Sequence, residues 1–157
     1  MLLFQGRAEY LEKYNGVAQA LNEAGYDVLS LDWRGQGLSD RLIDNPHLSH
    51  IADFADYQRD VLELVVAAGE LSLPRPWHLL AHSMGGAIGY ASLLDELPVV
   101  SAVFSSPMWG INTTPYPLWS IAAGPSSAAG SEAAAGIAPA RAATSRWCCI
   151  TLSPKTI

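Results

Sequence analysis

The sequence predicts an α/β fold: a mostly parallel sheet flanked by helices. Two observations carry this prediction. Short apolar runs alternate with amphipathic helical stretches in the order strand, helix, strand, helix, strand, helix, strand. Turn-forming segments, Gln5-Gly6-Arg7, Arg34-Gly35, Ser83 and Ser106-Pro107, also fall where the strands end. In open parallel sheets that carboxyl edge is where ligands bind.

The elements follow in chain order. Leu2-Leu3-Phe4 reads as a buried strand. Tyr10, Tyr14, Val17, Ala18 and Leu21 recur at helical spacing, with Glu9, Glu12, Lys13 and Glu23 mostly opposite and Gly25 as the stop. Val28-Leu29-Ser30-Leu31 is the second strand, and Asp32 to Ser39 forms a glycine-rich loop at its end. Gly35-x-Gly37 is not a dinucleotide fingerprint, because Asp40 stands where the third glycine belongs and Arg41 to Pro46 is no helix start. His47 and His50 lie in a Pro-containing loop with no strong third ligand, so they read as structural or solvent-facing and no metal is expected. Asp53 is the expected N-cap of a second helix, whose inner face is Phe54, Tyr57, Val61, Leu64, Val65 and Ala68. Leu73 to Pro76 turns into the third strand, His78 to Ala81. Ala87, Ile88, Ala91, Leu93 and Leu94 then read as a third helix; Leu97-Pro98 is its breaker, and Val99 to Ser105 reads as the fourth strand.

Of the 157 residues half are apolar, and the net charge of −6 argues against an electrostatic nucleic-acid partner. The charge is unevenly spread: residues 1–110 hold 14 of the 15 acidic groups, whereas 111–157 hold one Glu and three basic groups. No apolar run reaches bilayer length, and Met1-Leu-Leu-Phe is too short for a signal-peptide core, so a cytoplasmic protein is expected. The cysteines, Cys148 and Cys149, are adjacent and match no zinc spacing.

The chemistry concentrates at Ala81-His-Ser83-Met-Gly85. A serine hydroxyl is a weak nucleophile unless it is held clear of the backbone, and a tight strand-to-helix turn does this. Such a turn needs small flanking residues, here Ala81 and Gly85, in an A-x-S-x-G pattern. The helix that follows aims free N–H groups at whatever sits over Ser83, and the Met84 N–H is placed for a developing oxyanion. An ordinary strand-helix turn can carry the same five residues, so the motif alone does not decide the matter.

Six motifs together are more specific. Gln5 to Tyr14, Asp32 to Ser39, His47-Leu-Ser-His50, Phe54-Ala-Asp-Tyr57, Ala81 to Gly86 and Ser106 to Gly110 resemble, in order and spacing, the lysophospholipase and monoacylglycerol lipase branch of the α/β-hydrolase superfamily. The resemblance implies a partial α/β-hydrolase fold, truncated, over residues 1–110, and a small acyl ester or lysolipid as substrate. It implies Ser83 as nucleophile, with the N–H groups of Met84 and Arg7 as oxyanion donors. Gly6, Glu9 and Arg34 match substrate-side or positioning sites near the oxyanion turn. No cofactor is implied. Gln5 departs from the His-Gly common at that turn, a small matter because the donor is backbone.

The departure after Ser83 is larger. The family places an acid and then a histidine downstream of the nucleophile. Here no histidine follows, and the later acids are Asp95, Glu96 and Glu132. His82 adjoins the nucleophile, but its side chain is expected to point away from the Ser83 hydroxyl. Residues 122–143 contain 11 alanines among Gly, Pro, Ser and Arg. They read either as a weakly helical, mostly disordered stretch or, as we prefer, as a shifted reading frame beginning near Ile121. The chain is therefore expected to be an N-terminal fragment, residues 111–157 being the start of a cap passing into this tail. A non-catalytic pseudoenzyme or binding module is the alternative. Peripheral membrane contact and self-association through uncovered sheet edges are further expectations.

Overall fold

The computed structural model describes residues 1–45 and 47–110, together with the backbone of strand Cys149–Leu152. The chain divides into a unit of Met1–Trp109 with Ser145–Ile157 and a second, Gly110–Thr144, of which only Gly110 is described. The expectations for 111–148 lie outside the described residues.

The first unit is the expected α/β sheet. β1 (Leu2–Phe4), β2 (Val28–Leu31), β3 (His78–His82) and β4 (Ser101–Ser105) run parallel, and β5 (Cys149–Leu152) lies antiparallel to β2. The strand order is β4-β3-β1-β2-β5. Leu2 pairs with Leu29 on one side and Leu79 on the other, so β1 is central. It reads as three consecutive apolar residues because both its faces are covered.

Alternation along the strands sorts the two faces. Leu2, Phe4, Leu29, Leu31, Leu79 and Ala81 share the main core with α2 (Tyr57–Glu70) and α3 (Met84–Leu94), whereas Leu3 and Val28 meet Ala18 of α1 (Asn15–Glu23). Trp33 fills the main core with no exposure, its ring edge-on to Phe4 at 5.1 Å and to Tyr57 at 5.6 Å. Among the described residues no helix is long and apolar enough to cross a membrane.

Four expectations are corrected. The first helix does not present Tyr10 and Val17 to the core: both are exposed, and the inward residues are Leu11 and Ala18, with Tyr14 and Leu21 half-buried. The segment opens as a 3-10 turn, Leu11–Tyr14, whose three-residue period shifts the face relative to an unbroken α-helix. The second helix likewise opens as a 3-10 turn, Phe54–Asp56, with Asp53 accepting from the Ala55 N–H at 2.9 Å; Phe54 is exposed and stacks edge-on against Tyr57. The fourth strand begins at Ser101 rather than Val99, because the Val99 N–H turns back to the Leu97 carbonyl. Finally, the sheet is not open at both sides, since β5 covers β2. On the α1 side, Ser101, Val103 and Ser105 of β4 stand exposed.

Candidate active site

β3 delivers Ser83 to the carboxyl edge of the sheet, and α3 begins one residue later. Ser83 has φ 51° and ψ −118°, a conformation that costs an L-residue of order 1–3 kcal/mol and persists only where its surroundings impose it. They do so here through three backbone bonds: Ser83 N–H to the Ser105 carbonyl at 3.1 Å, and the Gly86 and Met108 N–H groups to the Ser83 carbonyl, each at 2.9 Å. The serine side chain is thereby turned out of both strand and helix. Gly85 lets α3 press against β1, for a Cβ there would stand 2.5 Å from the Gln5 carbonyl oxygen and closer still to that of Phe4.

Beside the serine lies the loop after β1. Gly6 sits between Glu9 and Ser83: an added Cβ would lie 2.7 Å from Glu9 Oε2 and 3.2 Å from Ser83 Cβ. The Gly6 N–H donates to Glu9 Oε2 at 2.7 Å, and Ala8, at φ 57°, donates its N–H to Gln36 Oε1 at 2.6 Å. Among the described residues the N–H of Arg7, between these two, has no partner. Met84, at the first position of α3, has an N–H that no earlier turn can satisfy.

Glu9 is the most heavily engaged acid of the loop, accepting from Gly6 N–H, Tyr14 Oη and Lys13 Nζ. Burial pushes its carboxyl up, but the hydrogen bonds from Lys13, Tyr14 and Gly6 outweigh this and hold it below its ordinary value of 4.5. Burial and the adjacent carboxylate raise the Tyr14 hydroxyl, so it remains a donor at neutral pH. A depressed carboxyl stabilises the fold above its unfolded pKa, and this contribution disappears as pH falls through the lower folded value. The loop should accordingly stay pinned at neutral pH and loosen only in acid. The Gly6 amide ¹⁵N shift should titrate with a midpoint below 4.5; a midpoint at or above that value would show that the carboxylate is not held.

The other expected residues are placed differently. Arg34 turns toward α2, where Nε bonds Asp60 Oδ1 at 2.9 Å and the terminal nitrogen bonds the same oxygen at 2.7 Å, with Asp56 at 4.0 Å. It ties the loop after β2 to α2 and does not join the Gly6–Ser83 group. His82 points to β4, its Nδ1 3.0 Å from the Ser105 carbonyl oxygen. His78 meets Ser101 Oγ at 2.8 Å, and the His50 backbone packs against Gly35. Among the described residues no side chain bonds the Ser83 hydroxyl, and no cluster of His, Cys, Asp and Glu is arranged to hold a metal ion. A cavity of about 360 Å³ opens on the α1 side between Leu3, Tyr14, Leu80 and His82; Ser83 does not line it.

Two supports were not visible in the sequence. Asp32 is buried, taking the Gln5 Nε2–H at 3.0 Å and the Leu38 N–H at 2.9 Å, while Gly37 lies against its carboxylate with no room for a Cβ. Gln36, also buried, joins Ala8 N–H to the Tyr57 hydroxyl. With Trp33 Nε1–H bonded to the Gln5 carbonyl at 3.0 Å, the loop after β2 forms a scaffold under the loop after β1.

The chain is similar in sequence to known proteins. The family described as serine aminopeptidase, S33, matches residues 1–137. Lysophospholipase L2 of Escherichia coli K12 is 41% identical over 115 residues, covering 71% of this chain and 33% of that protein. The probable lysophospholipase L2 of Haemophilus influenzae is 39% identical, with 71% and 35% covered, and the monoacylglycerol lipase of Mycolicibacterium smegmatis is 35% identical, with 58% and 31% covered. The chain thus spans about a third of the length of these relatives. No solved structure matches it.

Proposed function

Since the chain belongs to the serine aminopeptidase S33 family of α/β-hydrolases, we propose that it represents a serine ester hydrolase of the lysophospholipase or monoacylglycerol lipase type. The observation that carries this reading is the conformation of Ser83, held at φ 51° directly against the Gly6 turn. A hydroxyl so placed can attack an acyl carbonyl, with the Met84 and Arg7 N–H groups receiving the oxyanion charge. The alcohol leaves as the acyl-serine forms, and water then releases the fatty acid and restores the hydroxyl. The substrate class is a small lipid ester, which suits the relatives' names and requires no cofactor. Such an enzyme would act in the cytoplasm, touching membranes only peripherally.

A base must take the serine proton, and after Ser83 this sequence has no histidine. The four histidines lie at or before position 82, and none bonds the Ser83 hydroxyl. Turnover by this chain should therefore be small, the residue of about 10³–10⁴-fold over water that an oxyanion hole and binding supply without a triad member. The same observation favours a second reading, a non-catalytic product that binds ligands or self-associates through the exposed side of β4.

Labelling with a fluorophosphonate separates the readings. Slow modification of Ser83, absent in Ser83→Ala, is the expected result and marks an activated nucleophile. A folded chain that takes up no label supports the binding reading. Hydrolysis of a monoacylglycerol at the rate of an intact lipase would refute the near-inactivity.

A further inference from the structure

We infer that Tyr14 is a positioning residue for the oxyanion loop, acting through Glu9 on the Gly6 peptide. The inference rests on the reading of Ser83 and Arg7 given above and extends it to a residue at the junction of the 3-10 turn and α1, outside the loop itself.

One oxygen of Glu9, Oε2, accepts both the Tyr14 O–H and the Gly6 N–H, while Lys13 takes the other oxygen. The carboxylate thereby bridges the start of α1 and the turn after β1. The three donors come from different sources: a backbone amide, a half-buried ring and a largely exposed ammonium. Of these only Tyr14 anchors Glu9 to the packed body of the unit, for its ring lies against the Leu3, Ala18 and Val28 cluster. Lys13 is mostly in water and cannot fix a carboxylate rigidly.

Holding the Gly6 N–H fixes the plane of the preceding peptide, and with Ala8 N–H held by Gln36 the Gly6–Arg7 peptide is confined from both ends. Among the described residues the Arg7 N–H, between these two anchors, has no partner. A donor aimed in advance at the developing charge is worth more than one that must turn to meet it. Tyr14 does not touch the reacting atoms; it keeps Glu9 from swinging away.

The test uses the full chain and two variants, Tyr14→Phe and Glu9→Gln, read in two ways. Amide hydrogen exchange at Gly6 reports the clamp whether or not Ser83 reacts. The ³¹P shift of phosphonylated Ser83, together with the labelling rate, reports donation to the phosphoryl oxygen, a quantity that mere support of the fold would not change. In Tyr14→Phe, Gly6 exchange should rise about tenfold. Labelling should slow by about tenfold, less than the ~10²-fold that removing an oxyanion donor costs outright, and the ³¹P shift should move. Glu9→Gln should change the same three readouts in the same direction. Unchanged Gly6 exchange in Tyr14→Phe overturns the proposal, as does faster exchange with an unmoved labelling rate and ³¹P shift. If the unmodified chain takes no label at all, the nucleophile reading and the catalytic half of this proposal fall together, whereas Gly6 exchange still decides whether Tyr14 holds the loop.

Discussion

Gly85→Ala should destabilise the chain by about 3 kcal/mol or more, the upper end of what overpacking a well-filled interior costs. The reason is the identity of the atoms met. The new methyl would press on the carbonyl oxygens of Phe4 and Gln5, which are backbone at the end of the central strand. A flexible side chain could move aside; these carbonyls cannot without displacing the loop that begins at Gly6. The thermal midpoint should drop by roughly 10 °C, and labelling of Ser83 should fall with it even at temperatures where the variant remains folded. A midpoint unchanged within error would mean that α3 can back away from β1, and that the tight approach is not what shapes the turn.

Trp33→Ala is expected to cost more, about 3–5 kcal/mol, against a typical total stability of about 5–15 kcal/mol. The ring is wholly buried, contacts Phe4 and Tyr57 edge-on, and gives its N–H to the Gln5 carbonyl. Removing it opens a cavity between the two loops and leaves a buried carbonyl short of its donor. Trp33→Phe retains most of the packing and should lose only the hydrogen bond, roughly 1 kcal/mol net. Urea midpoints for the two variants give the comparison. Equal losses would show that packing contributes little here and that the N–H carries the effect.

The sheet was legible in the sequence because its strands are short and apolar and its helices periodic. The parts that could not be read share a physical cause: local pattern does not reveal a change of helical period or the burial of a polar group. Tyr10 and Val17 fit an α-helical face, and only the 3-10 turn at Leu11–Tyr14 moves that face elsewhere. Asp32 and Gln36 sit among glycines, where polar residues ordinarily face water; here both are buried and serve the loop across from them. Arg34 was visible as a charge, but its partners, Asp56 in the 3-10 turn before α2 and Asp60 on α2, lie more than twenty residues away and carry no local signature. Ser83, Gly6 and Glu9 were legible as a group only through the ordered set of motifs, since no spacing rule brings Gly6 beside Ser83.

The place of β1 in the sheet also governs the order in which the unit can be assembled. It is the middle strand, yet it precedes both of its neighbours in the chain. Pairing with β2 closes a short loop. Pairing with β3 must wait until α1, β2 and α2 have all been synthesised, and such distant contacts carry a chain-entropy cost before they contribute any stability. Through that interval Leu2, Leu3 and Phe4 present an unpaired edge and bare apolar side chains, the condition in which a nascent chain aggregates or is bound by a chaperone. It follows that the Gly6 loop, which hangs from the end of β1, cannot settle against Ser83 until β3 arrives, so the candidate site is among the last features of the sheet to form.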